Sequence, residues 1–86
     1  MIKPDNFSNI VGPRVRQARL NAQPPVTQSD LAARLQVLGL GYMDQAKISR
    51  IENGDRPVYD YELIALAQAL KVSVEWLVTV DVSSQS

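Results

Sequence analysis

Cysteine and histidine are both missing from the sequence. The first absence rules out disulfides, and the two together remove the usual zinc ligand sets. A chain of 86 residues buries only a modest share of its surface, so without such staples its stability has to come from packing, helped by dimerisation. The missing cysteine is compatible with a cytoplasmic home. No apolar run is long enough to span a bilayer and no signal-peptide pattern opens the chain, so no membrane partner is expected. Nor is there a glycine-rich phosphate loop or a pair of carboxylates at a useful spacing. With His and Cys also gone, the sequence predicts no enzyme, no cofactor and no metal.

An excess of charge is absent as well, since nine Lys and Arg balance nine Asp and Glu. The balance conceals a polarity. Residues 1–56 carry eight basic side chains against five acidic ones, while residues 57–86 carry only Lys71 against Asp60, Glu62, Glu75 and Asp81. A local basic field matters more to an anionic partner than the total does.

What the chain does have is 45% apolar residues, enough for the core of one domain. Those residues follow a repeated helix-start pattern: an apolar residue, a capping residue, acid in the first turn, then a second apolar residue that packs on the first. Val26-Thr27-Gln28-Ser29-Asp30-Leu31 fits, with Thr27 as cap and Asp30 reaching back. Met43-Asp44 before Ile48, and Val72-Ser73 before Leu77, fit in the same way. Val58-Tyr59-Asp60-Tyr61-Glu62-Leu63 has tyrosine where Ser or Thr caps better, which predicts a frayed start with Asp60 as the alternative cap. Gly39 and Gly54 suit left-handed closing positions. Leu31, Leu35 and Leu38 line one face of the second helix, and Leu63, Leu66, Ala67 and Leu70 one face of the fourth. Val11, Val15 and Ala18 lie on the first, where Pro13 is acceptable only in the first turn. The expected helices are 10–21, 27–38, 44–53, 60–70 and 74–79. The fold class is all-α, with an N-terminal arm 1–9, a domain 10–79 and a flexible tail 80–86.

The segments RVRQARL (Arg14 to Leu20), TQSDLAARL (Thr27 to Leu35), ISRIENG (Ile48 to Gly54) and LIALAQALKVSVEWL (Leu63 to Leu77) stand in this order along the chain. Together they resemble the Cro/lambda-repressor-like (Xre) helix-turn-helix family over roughly residues 10–78. The resemblance implies a compact five-helix domain whose second and third helices form a DNA-binding unit, the latter lying in the major groove. At about 100° per residue, Ile48 and Ile51 mark the inner side of the third helix, with Glu52 and Asp44 close to it. Ala46, Ser49, Arg50 and Asn53 then point outward, Lys47 lies on the flank, and Gln45 stands at the N-terminal tip.

The resemblance also assigns roles. Gln45 matches a base-reading position, although a polar first-turn residue is the plain alternative. Arg50 binds a base or phosphate, or is solvated. Gln28 matches a residue that binds phosphate and braces the reader, and Thr27 is its cap. Asn53 and Arg56 match backbone-contacting positions, with Arg56 equally readable as loose. Arg19 and Glu52 are implied to form a structural ion pair between the first and third helices. Trp76 is expected in the core or, with Leu77 and the adjoining tail, at a dimer surface.

One departure stands out. The segment 39–43 (GLGYM) extends the usual three- or four-residue link, leaving Leu40 and Tyr42 either as an exposed bump or at the DNA. The function expected is a sequence-specific double-stranded DNA-binding transcriptional regulator, a repressor that acts as a homodimer on a palindromic operator. An antitoxin-like or other protein-interaction helical module is the alternative.

Overall fold

Helices in this chain begin where a polar group can take the first free N–H groups, and the computed structural model, which describes residues 9–79, shows how. Five helices follow one another: α1 Gly12–Asn21, α2 Gln28–Val37, α3 Gln45–Glu52, α4 Asp60–Leu70 and α5 Val74–Leu77. No strand occurs among the described residues, and none of the helices is long and apolar enough to cross a membrane. Thr27 Oγ1 accepts from the Asp30 N–H at 3.0 Å while Asp30 Oδ2 accepts from the Thr27 N–H at 3.4 Å, a reciprocal pair that satisfies two orphan donors. Asp44 and Ser73 cap α3 and α5 through the N–H groups of Lys47 and Trp76.

Helix α4 corrects the expectation of a frayed start. Tyr59 occupies the cap position without a side-chain cap bond, and Asp60 is the first helical residue rather than the cap. Glu62 supplies the missing anchor by accepting from the Tyr59 N–H at 3.1 Å.

Three helices end alike. After α2, Gly39 N–H bonds to Gln36 O and Leu40 N–H to Leu35 O; after α3, Gly54 bonds to Ile51 and Asp55 to Arg50. These are Schellman closures around a left-handed residue, with φ of 103° at Gly39 and 78° at Gly54. Helix α4 closes the same way on Lys71 at φ 59°.

The core gathers Val15, Leu31, Leu35, Ile48, Ile51, Leu66 and Leu77, with Met43 from the link before α3. Three positions differ from expectation, among them Leu40, expected as an exposed bump or at the DNA but buried in the core. Leu38 is 42% exposed because α2 ends before it, and Leu77 is fully buried in its own core, which removes it from any dimer surface. Trp76 packs partly against that core, with the Arg14 guanidinium 4.5 Å from its ring centroid. The segment 80–86, expected as a flexible tail, and all of the arm except Asn9 lie outside the described residues. Asn9 itself is tied in. Its Oδ1 accepts from the Gly12 N–H at 2.7 Å, and its Nδ2 donates to Ile51 O at 3.1 Å and Arg56 O at 2.7 Å. The start of α1 is thereby fastened to the end of α3.

The long link 38–44 is held at both faces. Leu40 and Met43 are buried, and Gln36 Nε2 donates to Met43 O at 2.7 Å. Tyr42, half-exposed, sends its hydroxyl to the wholly buried Glu62. Glu62 also accepts two bonds from Arg56, at 2.8 and 2.9 Å. Burial opposes ionisation of Glu62, but hydrogen bonds from Arg56, Tyr42 and the Tyr59 N–H outweigh it and hold the carboxyl below its ordinary value. In return, burial and the adjacent carboxylate push the Tyr42 hydroxyl above the usual tyrosine range.

Two predictions come from this packing. A Cβ on Gly12 would run into Ile51 O and lie 2.8 Å from Glu52 O, so α1 and α3 touch backbone to backbone there. Gly12→Ala should cost about 1–3 kcal/mol in denaturant unfolding. Gly41→Ala, whose added carbon meets nothing within 4 Å, should stay within about 0.5 kcal/mol. Equal effects at the two sites would contradict the close approach. For Glu62, a lowered carboxyl pKa means stabilisation that is complete above the ordinary value of 4.5 and lost as pH falls through the folded value. Glu62→Gln strands Arg56 and should cost about 3–5 kcal/mol at neutral pH. The gap between its melting curve and that of the wild type should shrink below pH 4.5; a gap constant down to strong acid would show that the ion pair contributes nothing.

Candidate nucleic-acid interface

Helix α3 has only eight residues, too few for stability on its own in water. Ile48 and Ile51, both fully buried, attach it to the core, and Glu52 is 8% exposed beside them. The opposite side is open. Gln45, Ala46, Arg50 and Asn53 are exposed, while Lys47 and Ser49 are half-buried on the flanks. Lys47 Nζ lies 3.6 Å from Asp44 Oδ2, a loose exposed pair that leaves its charge available. Asp44 is exposed at the cap, not turned inward. The Lys47 N–H it accepts holds its carboxyl below the usual range.

Beneath this face runs a chain of hydrogen bonds with a fixed direction. Arg19 Nε donates to Glu52 Oε2 at 2.7 Å and Nη2 to Oε1 at 3.0 Å, a two-pronged pair between α1 and α3. Arg19 Nη1 donates to Val26 O at 3.0 Å and Arg19 O accepts from the Val26 N–H at 3.0 Å, so the connector to α2 joins the same knot. The bonds to Glu52 raise the Arg19 guanidinium pKa against the lowering effect of burial.

Gln28, first residue of α2, then donates Nε2 to Glu52 Oε1 at 3.1 Å, and its Oε1 accepts from Gln45 Nε2 at 3.4 Å. A guanidinium only donates and a carboxylate only accepts. Glu52 therefore dictates which way the Gln28 amide faces, and Gln28 dictates the same for Gln45. Gln45 is exposed, and among the described residues its carbonyl oxygen and second N–H have no partner.

The site residues read from the sequence thus fall into two groups. Thr27, Gln28, Gln45, Ala46, Lys47, Ser49, Arg50 and Asn53 belong to the α3 face or to the adjoining start of α2. Arg56 does not. Its side chain is only 14% exposed, paired with Glu62 and also donating to Pro57 O, so a phosphate would have to compete with a buried carboxylate for it. The sequence reading missed Asn9, Tyr42 and Glu62. Glu62 was visible as a third-position helix acid, but its partners, six and twenty residues away, were not.

Residues 10–77 match the family model described as a helix-turn-helix domain. Neither a curated protein nor a solved structure matches the chain.

The Arg19–Glu52 pair generates a quantitative expectation. Arg19 and Glu52 are each 8% exposed, so either single substitution to alanine strands a buried charge and should cost about 3–5 kcal/mol. The double variant should cost less than the sum, with a coupling in the upper part of the roughly 0.5–3 kcal/mol range for contacting residues. Thermal melts of the four proteins measure it, and additive losses would mean that the pair carries no energy.

Proposed function

The chain belongs to the helix-turn-helix domain family, and from that membership we propose that it is a sequence-specific double-stranded DNA-binding transcriptional regulator. In this reading it is a cytoplasmic repressor, acts as a homodimer on a palindromic operator, and reads the major groove with α3. The observation that supports it best is the directed chain Arg19–Glu52–Gln28–Gln45. A solvated surface glutamine gains nothing from such bracing, whereas a base reader needs its amide held in one orientation.

Gln45, at the first turn of α3, presents one acceptor and one donor outward, the complement of N6 and N7 of adenine. Ala46 and Ser49 are small enough for close approach to base edges in a groove about 12 Å wide. Arg50 reaches a base or phosphate from the middle of the face. Lys47 and Asn53 take the phosphate backbone, as do the first N–H groups of α2 with Gln28 and its cap Thr27. Arg56 is assigned to the fold, because Glu62 already holds its guanidinium.

This assignment separates Gln45 from Gln28 in a binding assay. Gln45→Ala should lose about 1–3 kcal/mol at the preferred base pair and become indifferent to substitution there. Gln28→Ala should weaken binding broadly and blur the same preference in part. The sites are first selected from random duplex DNA and then varied one base pair at a time. Retention of the wild-type preference at every position by Gln45→Ala would make Gln45 a helix-start residue only.

A further inference from the structure

The long link before α3 supplies more than a connection. Leu40 and Met43 anchor it in the core, yet Val37 is left 86% exposed, Leu38 42% and Tyr42 44%. These side chains lie along α4. Arg34 Nη1 donates to Ala69 O at 3.0 Å and lays the last turn of α2 beside the last turn of α4. Tyr42, bonded to Glu62, lays the far end of the link beside the first turn of α4.

Between these ties α4 presents Tyr61, Ile64 and Gln68, exposed and spaced three and four apart on one stripe of the helix, and exposed Lys71 follows at the left-handed closing position. Tyr61 and Ile64 are 55% and 54% exposed, and Tyr59 stacks on Tyr61 with ring centroids 6.0 Å apart. Val37, Leu38, Gln68 and Lys71 line one shallow groove at the other end. Single exposed apolar residues are ordinary, but a connected set of this kind marks a surface that binds something.

The ends of the stripe name the occupant. Exposed Asp60 stands at the aromatic end, and exposed Lys71 at the groove end. Each charge also suits its own helix terminus, so the charges alone would carry no argument; what matters is their position at opposite ends of an apolar strip. A two-fold axis across the middle of α4 brings Asp60 of one copy to Lys71 of another and the reverse. The same rotation carries the Tyr59–Tyr61 end onto the Val37–Leu38 groove and brings the two Ile64 side chains next to each other. Such a face contains both halves of its own complement, which is the condition for an isologous contact.

We propose that α4 and the link 38–44 bind a second copy of this chain, with the two α4 helices antiparallel and Asp60 paired with Lys71 of the second copy. None of these residues lies on the outer face of α3, so the contact leaves that face open. The proposal rests on the homodimer of the proposed function and names its surface, and because it is tested without DNA its failure is distinguishable from failure of the DNA-binding reading.

Sedimentation equilibrium of the full chain, without DNA, tests it. The wild type should show a reversible monomer–dimer equilibrium. Ile64→Asp should weaken it roughly tenfold or more, as expected for an apolar side chain near the centre of a contact. Asp60→Lys and Lys71→Asp should each weaken association, and the combined swap should restore it. Loss of fold cannot mimic that restoration, since the combined variant still lacks the bond from the Tyr61 N–H to Asp60 Oδ1. Val78→Asp, on the exposed side after α5, should leave the equilibrium unchanged. A chain that stays monomeric, a dimer indifferent to Ile64→Asp, charge variants that the combined swap does not rescue, or a dimer broken by Val78→Asp instead would each overturn the proposal.

Discussion

Glu52 accepts three hydrogen bonds from two other helices while 8% exposed. An ionised carboxylate in that position is costly to desolvate, and an apolar residue of similar volume would often serve stability equally well. Stability is therefore a poor reason for its presence. What an apolar residue cannot do is impose direction. Glu52 fixes Arg19 on one side and the Gln28 amide on the other, so the angle of α3 and the orientation of Gln45 follow from one acceptor-only group. The backbone contact at Gly12 works with it: a glycine there lets α1 approach α3 closely enough for the two-pronged pair to form.

Glu62 repeats the arrangement on the far side of α3. It is wholly buried, draws donors from Arg56, Tyr42 and the Tyr59 backbone, and joins three segments that are separate in sequence. Its carboxylate begins α4, closes the loop that follows α3, and pins the link that precedes α3. Asn9 completes the set with bonds to Ile51 O and Arg56 O. The ends of α3 are consequently positioned by polar ties, and its middle by two isoleucines. Both buried carboxylates are fully partnered, and no buried side-chain polar atom among the described residues lacks a hydrogen bond. A network in this state restricts alternatives, because any rotation of α3 would leave several groups unpaired at once.

How much of this could be read from the sequence depended on how local each cause was. The starts at Thr27, Asp44 and Ser73, and the closures at Gly39 and Gly54, rest on contacts within about five residues, and they stood in the sequence as patterns. Leu38 misled because helical periodicity carried the helix one residue past Val37, where α2 ends ahead of the closure at Gly39. Leu77 was read as surface because analogy, unlike burial, does not specify which side of a four-residue helix faces the core. The roles of Asn9 and Tyr42 depend on partners twenty or more residues away, and local composition does not mark them. Glu62 showed only its local part, the bond to the Tyr59 N–H, and not its pairing with Arg56 and Tyr42. Arg19 and Glu52 are separated just as widely. They were legible only through the family resemblance, which supplies long-range pairing that one sequence does not.

Helix α3 has only Ala46, Ile48 and Ile51 as apolar residues, and there is a physical reason why so few suffice. A helix held by Ile48, Ile51, the Asp44 cap, Glu52 and a Schellman closure needs nothing from its outer face for stability. Ala46, Ser49, Arg50 and Asn53 make no contribution to the apolar core, so changes at these positions fall among surface substitutions, usually within about 0.5 kcal/mol. Gln45 is the exception, linked inward through Gln28, and even there the bond is long and exposed. Positions that do not bear on folding are the ones where recognition can be altered without unfolding the domain. The separation extends to charge: Asp55 and Asp60 are exposed beyond the end of α3, and Lys47 and Arg50 lie within it. Exposed Asp44 at the cap of α3 lies 3.6 Å from Lys47, so total charge says little about the field at any one face, which is set by the charges nearest to it.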